Sequence, residues 1–185
     1  EATNVINKII LYEQNQLMPA SWQQNILFVA DDGSSFCQEN HDMASHFPAS
    51  FNTVVDPLCL PDNPTGADVE ALLANLQLDY LSNPNSGAPL FHYRGHGGIT
   101  QWGAEPAILN TANTSFWSNG QKPTVILSAD CLDGCFAAPG LPGLGETFLR
   151  GNAGTAAHWS STGLAYPDEH TVLLDAFYDS LFLDG

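Results

Sequence analysis

Five short apolar runs, each closed by acidic residues, glycine or proline, constrain this chain of 185 residues more than any other feature. They read NILFVADDG, SFNTVVDPL, APLFHY, PTVILSA and GTAAHWSS, and predict strands over 26–30, 52–55, 88–93, 123–129 and 154–161. Stretches with helical spacing alternate with them. Residues 2–15 set Val5, Ile6, Ile9, Ile10 and Tyr12 on one face of an amphipathic helix, and a second helix, opened by serine, is expected over 34–47. The stretch 67–81 sets Val69, Leu72, Leu73, Leu76 and Tyr80 on one face, and the last two helices fall over 143–151 and 169–182. Unbroken apolar strands alternating with helices belong to α/β proteins: a mostly parallel sheet with helices on both faces, a three-layer α/β/α arrangement.

The length suits one domain over residues 1–185. The longest apolar run is far too short to span a bilayer, and no membrane association is expected. Four Lys+Arg against 20 Asp+Glu give a formal charge of −16, which excludes nucleic-acid binding through a basic surface. An acidic surface of this kind keeps an exported protein soluble and suits cationic partners or bound Ca²⁺. The four cysteines, Cys37, Cys59, Cys131 and Cys135, have no CxxC spacing, so a zinc knuckle is not indicated. Cys37 and Cys59 form the plausible bridge in an oxidising compartment; otherwise both are small buried apolar residues.

In parallel sheets, sites form outside the carboxyl ends of the strands. Asp31 and Asp32 follow the first strand here, His96 follows the third in YRGHGG, and Cys131 follows the fourth in SADCLDGC. A thiolate is a strong nucleophile and an imidazole beside it is its usual base. The glycines around His96 let a substrate backbone approach closely, and a carboxylate such as Asp31 can orient the imidazole. The stretch 97–122, with Trp102, Phe116 and Trp117, reads as one long loop of functional character. His92 reads as buried or cross-strand within its strand, His170 as solvated, and His158 as near the same edge. No HExxH, GxSxG or P-loop appears.

The paired motifs YRGHGG and SADCLDGCF, in this order and after apolar strands, resemble the gingipain-type cysteine peptidases, family C25 of the caspase-like clan. Flanking text agrees, including WQQNILFVADDG, TQWGAE, LGETFLR and GTAAHWSSTG, so the resemblance covers essentially the whole chain. It implies a caspase-like fold and a cysteine endopeptidase acting through a Cys-His dyad, with Cys131 as nucleophile and His96 as general acid/base. It also implies an oxyanion hole from the amides of Gly97 and Cys131, with Asp31 orienting the imidazole. Trp159, Ser160 and Ser161 match the stretch lining the primary specificity pocket. Asp130 departs from the family's alanine and is a further substrate-binding candidate. The acid used by Arg-selective members falls near Phe36, with Glu39 and Asp42 close by. The net charge of −16 mildly favours a basic P1 residue.

The resemblance further implies a secreted or cell-surface protein of bacteria or archaea, of which this chain is one segment of a longer precursor. Its partners would be protein or peptide substrates and other segments of that precursor. No cofactor is needed for the chemistry. Structural Ca²⁺ is common in such peptidases, with Asp32, Glu39 and Asp42 as ligand candidates here. A sortase-like transpeptidase and a non-catalytic caspase-like binding module are the alternatives.

Overall fold

A computed structural model describes residues 1–17, 20–33, 35–77, 80, 86–114 and 117–182. Phe116 and parts of the expected 34–47 and 67–81 helices lie outside these residues. The elements in chain order are α1 (Ala2–Gln16), β1 (Asn25–Ala30), α2 (Phe36–Ala44), β2 (Asn52–Val54), α3 (Gly66–Leu76) and β3 (Leu90–Arg94). Then come β4 (Gly97–Gly98), β5 (Gln101–Trp102), β6 (Leu109–Asn110), β7 (Thr124–Ala129), α4 (Leu144–Arg150), β8 (Thr155–Ser160) and α5 (Pro167–Phe182).

Five strands form one sheet in the order β2-β1-β3-β7-β8, and every pairing is parallel. Both faces are covered, which is why the strands carry apolar residues at consecutive positions. On one face Leu27, Val29, Phe91, Tyr93 and Ile126 pack with Val69, Leu72 and Leu76 of α3 and Phe148 of α4. On the other, Ile26, Phe28, Leu127 and Ala129 meet Met43 of α2 and Leu174 and Tyr178 of α5. The expected α/β/α layering with a parallel sheet is therefore what the chain adopts.

Two local expectations need correcting. The apolar stripe of α1 does not face the core: Ile6, Ile9 and Ile10 are exposed, and the helix buries Lys8 instead. The Lys8 ammonium donates to the carbonyls of Phe148 (2.9 Å), Leu149 (2.9 Å) and Ala153 (3.3 Å), filling acceptors left open at the end of α4. Burial lowers the Lys8 amine to about 8. Nor is 97–122 structureless. Strands β4, β5 and β6 pair antiparallel into a small second sheet. Trp102, 1% exposed, anchors it by stacking 4.5 Å from Tyr93 and 5.7 Å from Phe91.

His92 is buried in β3, as its place in an apolar strand suggests, with Nδ1 2.7 Å from the Tyr178 hydroxyl. Burial first, then the charges of Arg94 and His170, lower its imidazole to about 3. The unfolded chain takes up this proton near pH 6.5, whereas the folded chain resists until about pH 3. Stability from His92 is thus complete above pH 6.5 and falls as pH drops, by roughly 4 kcal/mol at pH 3. In urea titrations between pH 6.5 and 5, the His92→Leu variant is expected to lose stability more gently with falling pH than the parent. Parallel curves would count against this account.

Candidate active site

The site is built by two adjacent strand ends. β3 and β7 pair in register, with Arg94 opposite Ala129, and the Gly95 amide donates to the Ala129 carbonyl at 3.3 Å. Each chain leaves the sheet there, and two residues further on stand His96 and Cys131. Both line one cleft of about 180 Å³, with Phe36, Arg94, Pro167 and His170 among its other walls.

His96 sits on the rim of this cleft, and its ring meets Phe36, the first residue of α2, edge-on at 5.5 Å. Its backbone is braced on both sides. The amide donates to Asp31 Oδ2 at 3.0 Å, and the carbonyl accepts from the Tyr93 hydroxyl (2.7 Å) and the Gly103 amide (2.8 Å). The expectation that Asp31 orients the imidazole is not met among the described residues. The Asp31 amide is tied to the Arg94 carbonyl at 2.9 Å, which tucks its side chain beneath the turn, where it reaches backbone rather than ring. Burial raises the Asp31 carboxyl, against the lowering by the His96 and Asp32 amides. Asp31 therefore fixes where the histidine stands, not which way its ring points.

Cys131 is a free cysteine, partly buried, whose sulfur lies 3.4 Å from the carbonyl oxygen and 3.5 Å from the amide nitrogen of Ala165. Directly after it Leu132 takes φ 68°, a left-handed conformation that turns the chain sharply away. The Leu132 amide donates to the Gly163 carbonyl and the Gly134 amide to the Ser161 carbonyl, both at 3.1 Å, so the loop beyond β8 holds the cysteine turn. Among the described residues, the Cys131 amide itself has no hydrogen-bond acceptor.

Asp130 is one of the walls of this cleft, but its carboxyl is buried rather than exposed there. Its side chain is 1% exposed and lies under Gly97, so close that a Cβ on Gly97 would fall 1.9 Å from Asp130 Oδ2. Burial first, then the neighbouring Asp133 charge, push this carboxyl well above the usual carboxylate range. The neutral acid is thereby favoured, and it does not repel a thiolate at Cys131 as an ionised one would. Asp133 is held the other way. Burial would raise it, but the hydrogen bond and charge of His158 (Nε2 at 3.0 Å) and the Trp102 indole (2.9 Å) keep it below the usual range. The two carboxyls interact through space, yet no hydrogen bond of ordinary geometry reaches either Asp130 oxygen.

Strand alternation separates Trp159 from Ser160 at the end of β8, and Ser161 follows just beyond the strand. Trp159 faces α5 in an apolar recess with Leu173 and Phe177, away from the cleft. Ser160 lines a neighbouring cavity of about 310 Å³ with Asp133, Cys135 and His158. Ser161 reaches the cleft indirectly, its hydroxyl 2.7 Å from His170 Nε2. His170, expected in solvent, is 6% exposed, because the start of α5 packs over the end of β3. Burial and the Arg94 charge lower its imidazole.

Asp32, Glu39 and Asp42 are not gathered into a three-ligand set among the described residues. Glu39 is paired with Arg94, and Asp42 accepts from Gln38. The grouping that brings three ligand atoms within 4.8 Å of one another is Cys37, His41 and Asp56, but Cys37 is already bridged to Cys59. These residues do not fit a Ca²⁺ site. Sequence reasoning missed Arg94, Tyr93 and Asp133. Arg94 was legible as one of only four basic residues, standing inside the YRGHGG motif itself.

A parallel α/β/α fold whose carboxyl edge brings a cysteine and a histidine into one cleft holds the two side chains that nucleophilic thiol chemistry requires. The family model for Peptidase family C25 matches residues 1–185. The chain belongs to that family. Its fold is similar to that of the Arg-specific cysteine proteinase gingipain R (TM-score 0.73, 19% identity), covering 100% of this chain and 42% of that one. It is similar also to a complex of Porphyromonas gingivalis RgpB pro- and mature domains (TM-score 0.72, 18% identity, 96% and 42% covered). A third similar structure is described only as a protease (TM-score 0.65, 22% identity, 90% and 35% covered). The chain spans less than half the length of each. A search of curated protein sequences gives no match.

Proposed function

We propose that this chain is the catalytic core of a cysteine endopeptidase, and the observation that carries the proposal is the shared cleft of Cys131 and His96 at adjoining strand ends. Cys131 Sγ attacks the scissile carbonyl carbon while His96 takes up the thiol proton. The tetrahedral oxyanion is stabilised by the unpaired Cys131 amide and the amide of Gly97. Collapse breaks the C–N bond, His96 returns the proton to the leaving amine, and a thioester remains on Cys131. Water, deprotonated by His96, hydrolyses it and restores the thiol. No metal or cofactor takes part in these steps.

The segment 1–185 acts in this reading as one subdomain of a longer exported protein, as the greater length of its relatives suggests. The Cys37–Cys59 bridge supports an oxidising compartment. Among the described residues no helix is long and apolar enough to cross a membrane. The net charge of −16 favours approach of cationic chains, while selection at the scissile bond is left to the cleft walls. The RgpB complex, in which a pro-domain binds the mature domain, makes association with other precursor segments the corresponding expectation here.

The test is incubation of the whole protein with peptide libraries, with and without an added primary amine, followed by mass spectrometry. Hydrolysed products support an endopeptidase. Products joined to the added amine in preference to water would instead make the protein a transpeptidase. Neither product, from protein shown to be folded, would leave the non-catalytic binding module.

A further inference from the structure

The cleft beside His96 and Cys131 already contains a cation. Arg94, the last residue of β3, sends its side chain to the α2/α5 face, where it is 3% exposed. There Nε and Nη2 both meet Glu39 Oε2 from the first turn of α2. Nη2 also donates to the Pro167 carbonyl at 2.9 Å and the Thr171 hydroxyl at 3.2 Å, at the start of α5. The guanidinium carbon lies 5.7 Å from the centre of the Phe36 ring, the same ring that meets His96. These contacts fix Arg94 from α2 and α5, and leave one group over. Nη1 has no hydrogen-bond partner among the described residues, and it is not among the fully enclosed unpartnered atoms. Arg94 is also a wall of the cleft of about 180 Å³ that holds the reactive pair.

Building on the peptidase reading above, we propose that Arg94 sets the P1 preference, its Nη1 receiving a P1 side chain that ends in a planar oxygen acceptor, aspartate or asparagine. Lysine and arginine are rejected at this position for two reasons on the same residues. A basic P1 group would enter a recess that already holds a fixed positive charge, and the carboxylate paired with that charge, Glu39, is already engaged. Phe36, the first residue of α2, brings a ring and no carboxylate to this wall. Of the remaining walls, Ala129, Ala165 and Pro167 are apolar and the Asp130 carboxyl is packed under Gly97, so the guanidinium and His170 are the directional polar groups beside the reactive pair. A planar oxygen on a short side chain meets the donor geometry of a guanidinium best. Glu39 offsets the charge of Arg94, and for this reason the acceptor oxygen, shared by carboxylate and amide, is the recognised chemistry.

The experiment compares kcat/KM of the whole protein on internally quenched peptides that differ only at P1: Asp, Asn, Ala, Lys and Arg. Asp or Asn is expected to exceed Lys and Arg by roughly tenfold or more, one well-placed charge-assisted hydrogen bond being worth about that much. Asp far above Asn means that the charge is read as well as the oxygen; equal rates mean that the oxygen alone is read. Arg or Lys as the best substrate overturns the inference, as does Ala equal to Asp and Asn. Arg94→Met removes the guanidinium and frees Glu39, so it should lose the Asp/Asn preference and gain cleavage after Lys and Arg. In Arg94→Met/Glu39→Gln that gain should vanish. If Arg94→Met does not fold, Glu39→Gln serves instead: it leaves the Arg94 charge uncompensated and should sharpen Asp over Asn, and an unchanged ratio overturns the inference. Cleavage of no peptide at all, with Cys131 unlabelled by an electrophilic peptide ketone, defeats the peptidase reading and this inference with it. Labelling of Cys131 by ketones bearing P1 Lys or Arg alone defeats only the inference.

Discussion

Cys131→Ala is expected to abolish peptide cleavage, a fall of roughly 10⁴- to 10⁶-fold in kcat, and His96→Ala to come close to it. The two residues are parts of one proton-transfer unit, so removing either leaves the other without a function. The Cys131→Ala/His96→Ala protein should consequently be no worse than the single variants, which is the signature of a pair that acts together. Cys135→Ala supplies the contrast. Cys135 lines the neighbouring cavity with Asp133 and His158, and its amide only closes the turn back to Leu132. Loss of its thiol should change kcat less than about threefold. If Cys135→Ala were the inactive variant, the nucleophile would have been misassigned.

Gly97→Ala carries the second large effect, and its cause is steric. A Cβ there would lie 1.9 Å from Asp130 Oδ2, 2.5 Å from its Cγ and 2.6 Å from the Cys131 carbonyl oxygen. Two of these atoms belong to a carboxyl packed with 1% exposure, and the third is backbone of the nucleophile itself. Relief therefore requires the His96 turn and the Cys131 turn to move apart. Displacements near 1 Å cost such sites about 100-fold, and at least that loss is expected in kcat/KM, with a lowered Tm. Gly98→Ala, one residue on, would meet nothing closer than Gln101 Cγ at 3.7 Å and should be tolerated. Adding Asp130→Gly to Gly97→Ala removes two of the three clashes and should recover part of the activity. Equal effects of the two alanine substitutions would mean that the turns are not packed as described.

The strands were legible because a parallel sheet covered on both faces demands apolar residues at successive positions, and NILFVA and TVILSA comply. His96 and Cys131 were legible for a related reason. A chain leaving such strands must do so at the carboxyl edge, and both residues follow their strand at once. What the sequence hid depends on partners distant along the chain. Lys8 is buried because the end of α4 leaves carbonyls open, while the isoleucines of α1, whose periodicity suggested a core face, point outward. Trp102 gives order to 97–122 only because Tyr93 and Phe91 lie beneath it. Asp31 stands where a ring-orienting acid was expected, but a tie to the Arg94 carbonyl, invisible in sequence, brings it to the His96 amide. Trp159 and Ser160 diverge because neighbours on a strand face opposite ways, and the position of β8 at the sheet edge gives each face its own cavity.

The central claim is that His96 acts on Cys131. Its most direct test is the rate of alkylation by iodoacetamide, read at each free cysteine by peptide mass spectrometry in the parent and in His96→Ala. Cys131 should react much faster than Cys135 in the parent, and that advantage should disappear in His96→Ala. Slow, equal labelling of both cysteines, unchanged by the substitution, would contradict the account.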